Sequence, residues 1–430
     1  MSETSITITG GRLIDPASGI DGPFDLFIED GIIRAVEASL AKKRAARRID
    51  ATKKIVTPGW IDLHTHLREP GLEYKETIAT AVAAAVAGGI TTVCAMPNTL
   101  PVNDTRAVTE LILERARACG KARVFPVGAV TKGQAGKELT EMGDLFDAGC
   151  VAFSDDGRPV ENSAILRRAM EYAKIFDAPV IDHCEDLSLS EGGVMFEGAV
   201  SVALGLTGIP AAAESIMVAR DIALAEMTGA RTHLAHISTA ASVHLIREAK
   251  RRGVPVTAET CPHYFTLTDE RLRNFDTNAK MKPPLASDHD RAEIRRGLAD
   301  GTIDAIATDH APHAAHEKEQ TFNDAPFGII GLQTALPLSI RLIDEGLLTW
   351  PQMIEKWTAA PARILNRPIG RLAVGDPADV TIIDPSATWT VTETTLLSKS
   401  KNSPFLGWTL TGRATAVIVG GRVIESSTST

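Results

Sequence analysis

Over the first 55 residues apolar and polar positions alternate, as in Ile6-Thr7-Ile8-Thr9 and Asp25-Leu26-Phe27-Ile28, with Gly10-Gly11 and Asp30-Gly31 as turn signals. A period of two is that of half-buried strands. The closing stretch repeats it in Asp379-Val380-Thr381-Ile382-Ile383 and Ala416-Val417-Ile418-Val419, ended by Gly420-Gly421. The pattern predicts one small β-sandwich domain assembled from residues 1–55 and 366–430, since chain ends often lie close together.

Between them, over residues 56–365, short apolar runs alternate with helical stretches rich in Ala, Glu and Arg, as βα units on a parallel sheet do. Strands are predicted at Trp60 to His66, Ile90 to Met96, Ala122 to Gly128, Cys150 to Ser154, Pro179 to Cys184, Arg231 to Ile237, Val254 to Thr260 and Ile303 to Thr308. Helices are predicted at Thr77 to Ala87, Ser163 to Phe176, Glu214 to Met227 and Ala240 to Arg252. The fold class is therefore α/β, with the eight units closed into a (β/α)8 TIM-type barrel. A doubly wound sheet fits less well, because no Gly-x-Gly-x-x-Gly follows an early strand.

The 430 residues, 44% hydrophobic and 23% charged, suffice for a large core. A net charge of −9 argues against a nucleic-acid surface, and the one basic run, Lys42 to Arg48, reads as a solvated turn or helix end. Five cysteines without a Cys-x-x-Cys pair read as reduced thiols of a cytoplasmic protein. With no apolar run long enough to span a bilayer and no leader-like N-terminus, neither membrane insertion nor secretion is expected.

In such a barrel the reactive groups gather at the C-terminal ends of the strands. The first strand ends Asp62-Leu63-His64-Thr65-His66-Leu67-Arg68, and strand alternation puts His64 and His66 on one face, within reach of one cation. Later strands end in Asp155-Asp156, His183, His236 and Asp309-His310. These carboxylates and imidazoles suffice for two first-row metals and are too many for one closed tetrahedral site; the mixture suits zinc, although manganese or cobalt takes the same donors. Periodicity does not separate Asp155 from Asp156.

The stretch Pro58-Gly59-Trp60-Ile61-Asp62-Leu63-His64-Thr65-His66-Leu67-Arg68-Glu69-Pro70-Gly71 resembles the first-strand signature of bacterial dihydroorotases, the longer-chain class of the amidohydrolase superfamily. Met96-Pro97-Asn98-Thr99, Asp155-Asp156-Gly157, His183-Cys184-Glu185-Asp186, Gly208-Ile209-Pro210 with Glu214-Ser215, Ala307-Thr308-Asp309-His310-Ala311-Pro312-His313 and Ala325-Pro326-Phe327-Gly328 agree with it. The resemblance implies a zinc enzyme, with one or two ions per subunit, that interconverts N-carbamoyl-L-aspartate and L-dihydroorotate in de novo pyrimidine biosynthesis. It implies His64, His66 and Asp309 on one metal and His183 and His236 on the other. Asp156 bridges them where many relatives use a carboxylated lysine.

A hydroxide shared by the cations is the expected nucleophile, with Asp309 as general acid and base. The planar guanidinium of Arg68 suits the substrate carboxylate. By resemblance Asn98 and His313 complete that clamp, with His66 beside them, and the backbone around Phe327 and Gly328 meets the pyrimidine ring. One segment departs from the family: Lys282 stands where relatives carry a substrate-touching Asn, so the hydrogen bonding there must differ. His263 is read as structural. A homodimer is the family expectation, and association with aspartate transcarbamoylase is compatible with it. The rival readings are a hydantoinase or allantoinase, and a non-catalytic partner of aspartate transcarbamoylase.

Overall fold

The alternation at the two ends resolves, in a computed structural model describing residues 5–40 and 42–424, into two sheets that both termini build together. Residues 1–4 and 425–430, at the outer limits of the expected sandwich, lie outside the described residues. Strand Ile55–Pro58 is the seam. It runs parallel to Arg12–Asp15 and antiparallel to Val380–Thr390, with Val380 opposite Pro58 and Ile383 opposite Ile55. A second sheet orders Ile32–Glu37, Asp25–Glu29, Ile6–Thr9 and Arg47–Asp50. Alternate side chains of both sheets, among them Ile8, Leu26, Ile28, Val56, Ile382 and Ile418, share one core. The Asp30-Gly31 and Gly420-Gly421 turns have positive φ at both residues, the conformation that matches strand twist in a two-residue hairpin.

The middle of the chain forms a parallel sheet of eight strands in sequential order: β1 (Trp60–Thr65), β2 (Ile90–Ala95), β3 (Arg123–Gly128), β4 (Ala152–Phe153), β5 (Val180–Asp182), β6 (Thr232–Leu234), β7 (Val256–Thr260) and β8 (Ala305–Ile306). The sheet closes on itself. Thr65 bridges in parallel to His310, and the His66 N–H donates to the His310 carbonyl over 2.9 Å. Ile61, Leu63, Cys94, Val127, Ile181 and Ala235 belong to the apolar cluster that these strands share.

Every predicted strand has a counterpart, but several are shorter at their C-terminal ends. The expected Cys150–Ser154 pairs only over Ala152–Phe153, and the run toward Thr308 only over Ala305–Ile306. The residues that follow leave the ladder because the chain must turn to aim polar side chains inward: His236 has φ 36° and Asp309 φ 45°, both left-handed. Likewise the helix expected over Ser163 to Phe176 is α-helical to Ala173 and tightens into a 3-10 turn over Lys174–Phe176. The helix expected over Glu214 to Met227 runs Ala212–Thr228. Among the described residues no helix is long and apolar enough to cross a membrane.

Trp60, opening β1, stacks on Trp357 at the end of helix Trp350–Trp357, with ring centroids 5.1 Å apart and both rings fully buried. Their indole N–H groups are satisfied by Thr57 and Ser339. Trp357→Ala should therefore leave a cavity and an orphaned hydroxyl, lowering stability by ~3–5 kcal/mol, measured as a fall in the urea midpoint.

Candidate active site

The strand ends open into a cavity of about 380 Å³. Of the residues singled out from the sequence, His66, Arg68, Asn98, Asp156, His183 and His236 line it, as do Lys282, Asp309, His313, Phe327 and Gly328. His64 lies behind them, fully buried. A larger groove, about 610 Å³, runs outside the barrel between helices Asp288–Asp300 and Ala335–Asp344. Its Arg291 and Arg295 are paired with Asp288 and Glu345, and no imidazole reaches it. The chemistry belongs to the smaller cavity.

At its floor Asp156 faces four imidazoles. Its Oδ1 lies 3.2 Å from His64 Nε2, 3.5 Å from His236 Nε2 and 3.8 Å from His183 Nδ1, and its Oδ2 is 3.4 Å from His66 Nε2. Asp309 Oδ1 lies 3.1 Å from His66 Nε2 and 3.6 Å from His64 Nε2. The ligand atoms of His64, Asp156 and His236, and those of His64, His66 and Asp309, form two groups each compact enough to hold a metal ion. His183 stands at the edge, its Nδ1 2.9 Å from His236 Nε2. Asp155, which the pattern left equal to Asp156, points elsewhere and accepts from the Thr131 N–H and hydroxyl.

What lies behind the imidazoles decides which nitrogen is free. His64 Nδ1 is 3.0 Å from Glu259 Oε1, and His183 Nε2 is 2.9 Å from Glu185 Oε2. A carboxylate only accepts, so those nitrogens carry the protons and the opposite ones present lone pairs inward. His66 Nδ1 donates in the same way to Asn98 Oδ1 over 2.8 Å. Among the described residues His236 has no such outer partner, and its Nδ1 is buried without one. His64 Nε2 and Asp156 Oδ1, though close, make no hydrogen bond. Convergent lone pairs and carboxylates, buried and unsatisfied, fit divalent metal ions.

The electrostatics agree. Burial opposes charge on His64, yet Asp156 and Asp309 outweigh it and push its pKa well above the ordinary value, so the spot attracts positive charge. Burial would raise both carboxyls, but the facing imidazoles, His64 foremost, hold Asp156 and Asp309 below the usual range. Glu259, buried between His233 and His64, is held down at about 2 by the two imidazoles, whose nitrogens lie 3.2 and 3.0 Å from its oxygens, despite burial.

Glu259, Glu185 and Asp62 escaped the sequence reading. Glu259 is a charged residue within the strand β7, Val256-Thr257-Ala258-Glu259-Thr260, which was the available signal. Glu185 sits within the quoted His183-Cys184-Glu185-Asp186. Asp62 accepts from the Thr308 N–H and hydroxyl and ties β1 to the segment after β8. His263 stays outside the cluster, its ring against Tyr264.

Comparison with known proteins follows the same line. A family model described as Dihydro-orotase-like matches residues 53–242. The chain is 54% identical over 420 residues to the Dihydroorotase of Syntrophus aciditrophicus (strain SB), covering 97% of this chain and 99% of that one. It is 55% identical over 420 residues to the Dihydroorotase of Anaeromyxobacter dehalogenans (strain 2CP-C), covering 97% of each. Among solved structures, L-hydantoinase (dihydropyrimidinase) from Arthrobacter aurescens superposes with a TM-score of 0.86 at 25% identity, over 97% of this chain and 95% of that one. Dihydropyrimidinase from Brevibacillus agri NCHU1002 does so with a TM-score of 0.84 at 22% identity, over 98% and 95%. The expected α/β barrel class is borne out.

Since Glu259 fixes the tautomer of His64, Glu259→Gln should weaken divalent-metal retention by about 10–100-fold. Competition with a chromogenic chelator reads this directly, without reference to turnover.

Proposed function

Because this chain belongs to the dihydroorotase family, we propose that the imidazoles and carboxylates at its barrel mouth are the centre that interconverts N-carbamoyl-L-aspartate and L-dihydroorotate. The chain is a cyclic amidohydrolase, serving de novo pyrimidine biosynthesis. One observation carries the assignment of the cavity to this substrate. Arg68 is buried at the mouth and, among the described residues, has no carboxylate partner; its Nε donates to the Pro312 carbonyl over 3.2 Å. A buried, unpaired guanidinium awaits an anion. Dihydroorotate carries a carboxylate there, and plain hydantoins do not.

His64, His66, Asp156, His183, His236 and Asp309 would hold one or two divalent cations, which we take to be zinc; when bound these supply Lewis acidity, activating water near neutral pH and polarising the ring amide carbonyl. Asp309, ionised and lining the cavity, takes the proton that water releases as its oxygen adds to the amide carbon. It returns that proton to the nitrogen as the C–N bond breaks. In the reverse direction it removes the proton from the carbamoyl nitrogen as the ring closes and passes it to the departing water.

The clamp follows from the donors left over. The outer nitrogens of Arg68 can take both carboxylate oxygens. Asn98 spends its oxygen on His66, so its amide nitrogen is what remains for substrate. Burial, with Arg68 and Lys75 nearby, holds the His313 ring neutral, its pKa pulled down to about 2. Lys75 Nζ approaches His313 Nδ1 to 3.3 Å and can only donate, so the N–H of His313 is on Nε2, the nitrogen we assign to the carboxylate. Lys282, held by Glu185 Oε1 at 2.7 Å, adds positive charge to the wall, and Phe327 and Gly328 meet the flat ring. His66 flanks the same space. A cytoplasmic location, in keeping with five free cysteines, and the homodimer of the family belong to the same proposal.

One preparation tests the reading: elemental analysis should find divalent metal, and dihydroorotate should turn over faster than hydantoin. Faster hydantoin turnover would sink it. Asp309→Asn should retain metal but lower kcat by ~10²–10⁴-fold. Arg68→Met should raise the KM for dihydroorotate by ~10–100-fold, the worth of a charge-assisted bond; an unchanged KM removes the clamp.

A further inference from the structure

Two lysines sit in the barrel's rim where neither catalysis nor the carboxylate clamp uses them. Lys280 is 1% exposed and Lys318 is 5% exposed. Burying an ammonium costs several kcal/mol unless each N–H finds an acceptor. Here the acceptors are backbone carbonyls. Lys280 Nζ donates to Phe322 O at 2.7 Å, Asn323 O at 3.0 Å and Ala325 O at 2.7 Å. Lys318 Nζ donates to Pro326 O at 2.7 Å, Thr277 O at 3.0 Å and Lys280 O at 3.4 Å. Four of these carbonyls belong to one loop, 322–326, whose continuation is Phe327 and Gly328.

The loop is gripped from the other side as well. The Gly328 N–H donates to the Lys280 carbonyl over 2.9 Å, and Lys280 Nζ lies 4.6 Å from the centre of the Phe327 ring. Gly328 has φ 137°, and a Cβ there would come within 2.9 Å of His313, so the loop cannot drift inward with any other residue in that place. Burial pulls Lys280 down to about 8 and Lys318 to about 7.

We propose that Lys280 and Lys318 are positioning residues that brace the 322–328 loop against the rim and so set the place of Phe327 and Gly328, and with it the affinity for the substrate ring. This rests on the reading of Phe327 and Gly328 as part of the substrate wall. On that reading the loop meets the face of the ring and supplies no group to the proton transfer, so its displacement removes binding common to ground and transition states. That raises KM and spares kcat.

Lys280→Met and Lys318→Met should each raise the KM for dihydroorotate by about tenfold while kcat stays within about threefold. Lys318→Arg, which keeps charge and donors, should recover part of the loss. Hydrogen–deuterium exchange of residues 322–328 should quicken in the Met variants with β1 to β3 unchanged. Loss of kcat with KM unchanged, or wild-type KM in both folded variants, overturns the proposal. Phe327→Ala separates the two layers: if it leaves KM untouched, the substrate-wall reading fails, and if it alone raises KM, the lysine brace fails. Should the Met variants not fold, the unaltered enzyme decides, since amides of 322–328 must then exchange as slowly as those of β1. Rapid exchange there overturns the brace.

Discussion

The structure depends on a concentration of electron pairs that repel one another. Asp156 stands within 4 Å of a nitrogen from each of four imidazoles, and Asp309 shares two of them. Such a set, buried from water, is stable only with positive charge inside it. The protein has to hold these groups together against their repulsion, and it does so from behind. Glu259 holds His64 while its other oxygen lies 3.2 Å from His233 Nε2, Asn98 holds His66, and Glu185 holds His183. Each anchor comes from a different barrel strand or its following loop, so only a closed barrel brings all of them to bear on one point.

The mouth above this floor is set by the other half of the molecule. The C-terminal segment that leaves the sandwich sheet after Val380–Thr390 returns to the barrel rim before entering Thr409–Val419. There Asn402 accepts from the His313 N–H and donates to the carbonyls of Ala311 and Gly328. Ser398 and the Lys399 N–H meet Glu76, whose carboxylate also approaches His310. The loops after β1 and β8, which carry Arg68 and His313, are thus fixed by residues that fold with the sandwich. Loops normally concentrate mobility; these are tied at both ends, which suits a pocket that must present donors without reorganising.

Much of this was legible in the chain because strand alternation and the strand-end rule are local. Period two at the ends gave the sandwich strands, and Asp30-Gly31 and Gly420-Gly421 gave its turns. His64, His66, His183, His236 and Asp309 were found because each follows an apolar run. What alternation cannot report is where a side chain points after the strand has ended. Asp155 and Asp156 were indistinguishable until the turn was seen to send one toward Thr131 and the other into the cluster. The anchors were harder still, because Glu259 acts through a contact with His64 far away in sequence. A buried glutamate in a β-strand was the only hint. Asn98 was expected on the substrate and was found with its oxygen on His66, a contact between β1 and the loop after β2 that no spacing encodes.

Fold alone does not choose the substrate. The hydantoinase from Arthrobacter aurescens superposes on this chain with a TM-score of 0.86, so the barrel and its terminal sheets are compatible with more than one cyclic amide. The choice has to come from charge at the mouth. Among the described residues two Lys or Arg side chains line the cavity, and Lys282 is already neutralised by Glu185 at 2.7 Å, as Lys75 beside His313 is by Glu317 at 2.8 Å. Arg68 is left with a carbonyl. On the proposed reading, a neutral ring entering this cavity would bury that guanidinium without a counter-ion, whereas a ring bearing a carboxylate would pair it and remove the desolvation cost already incurred in folding. The selectivity on that reading is as much a penalty on the wrong ligand as a reward for the right one, and it rests on Arg68, the cavity-lining guanidinium left without a carboxylate among the described residues.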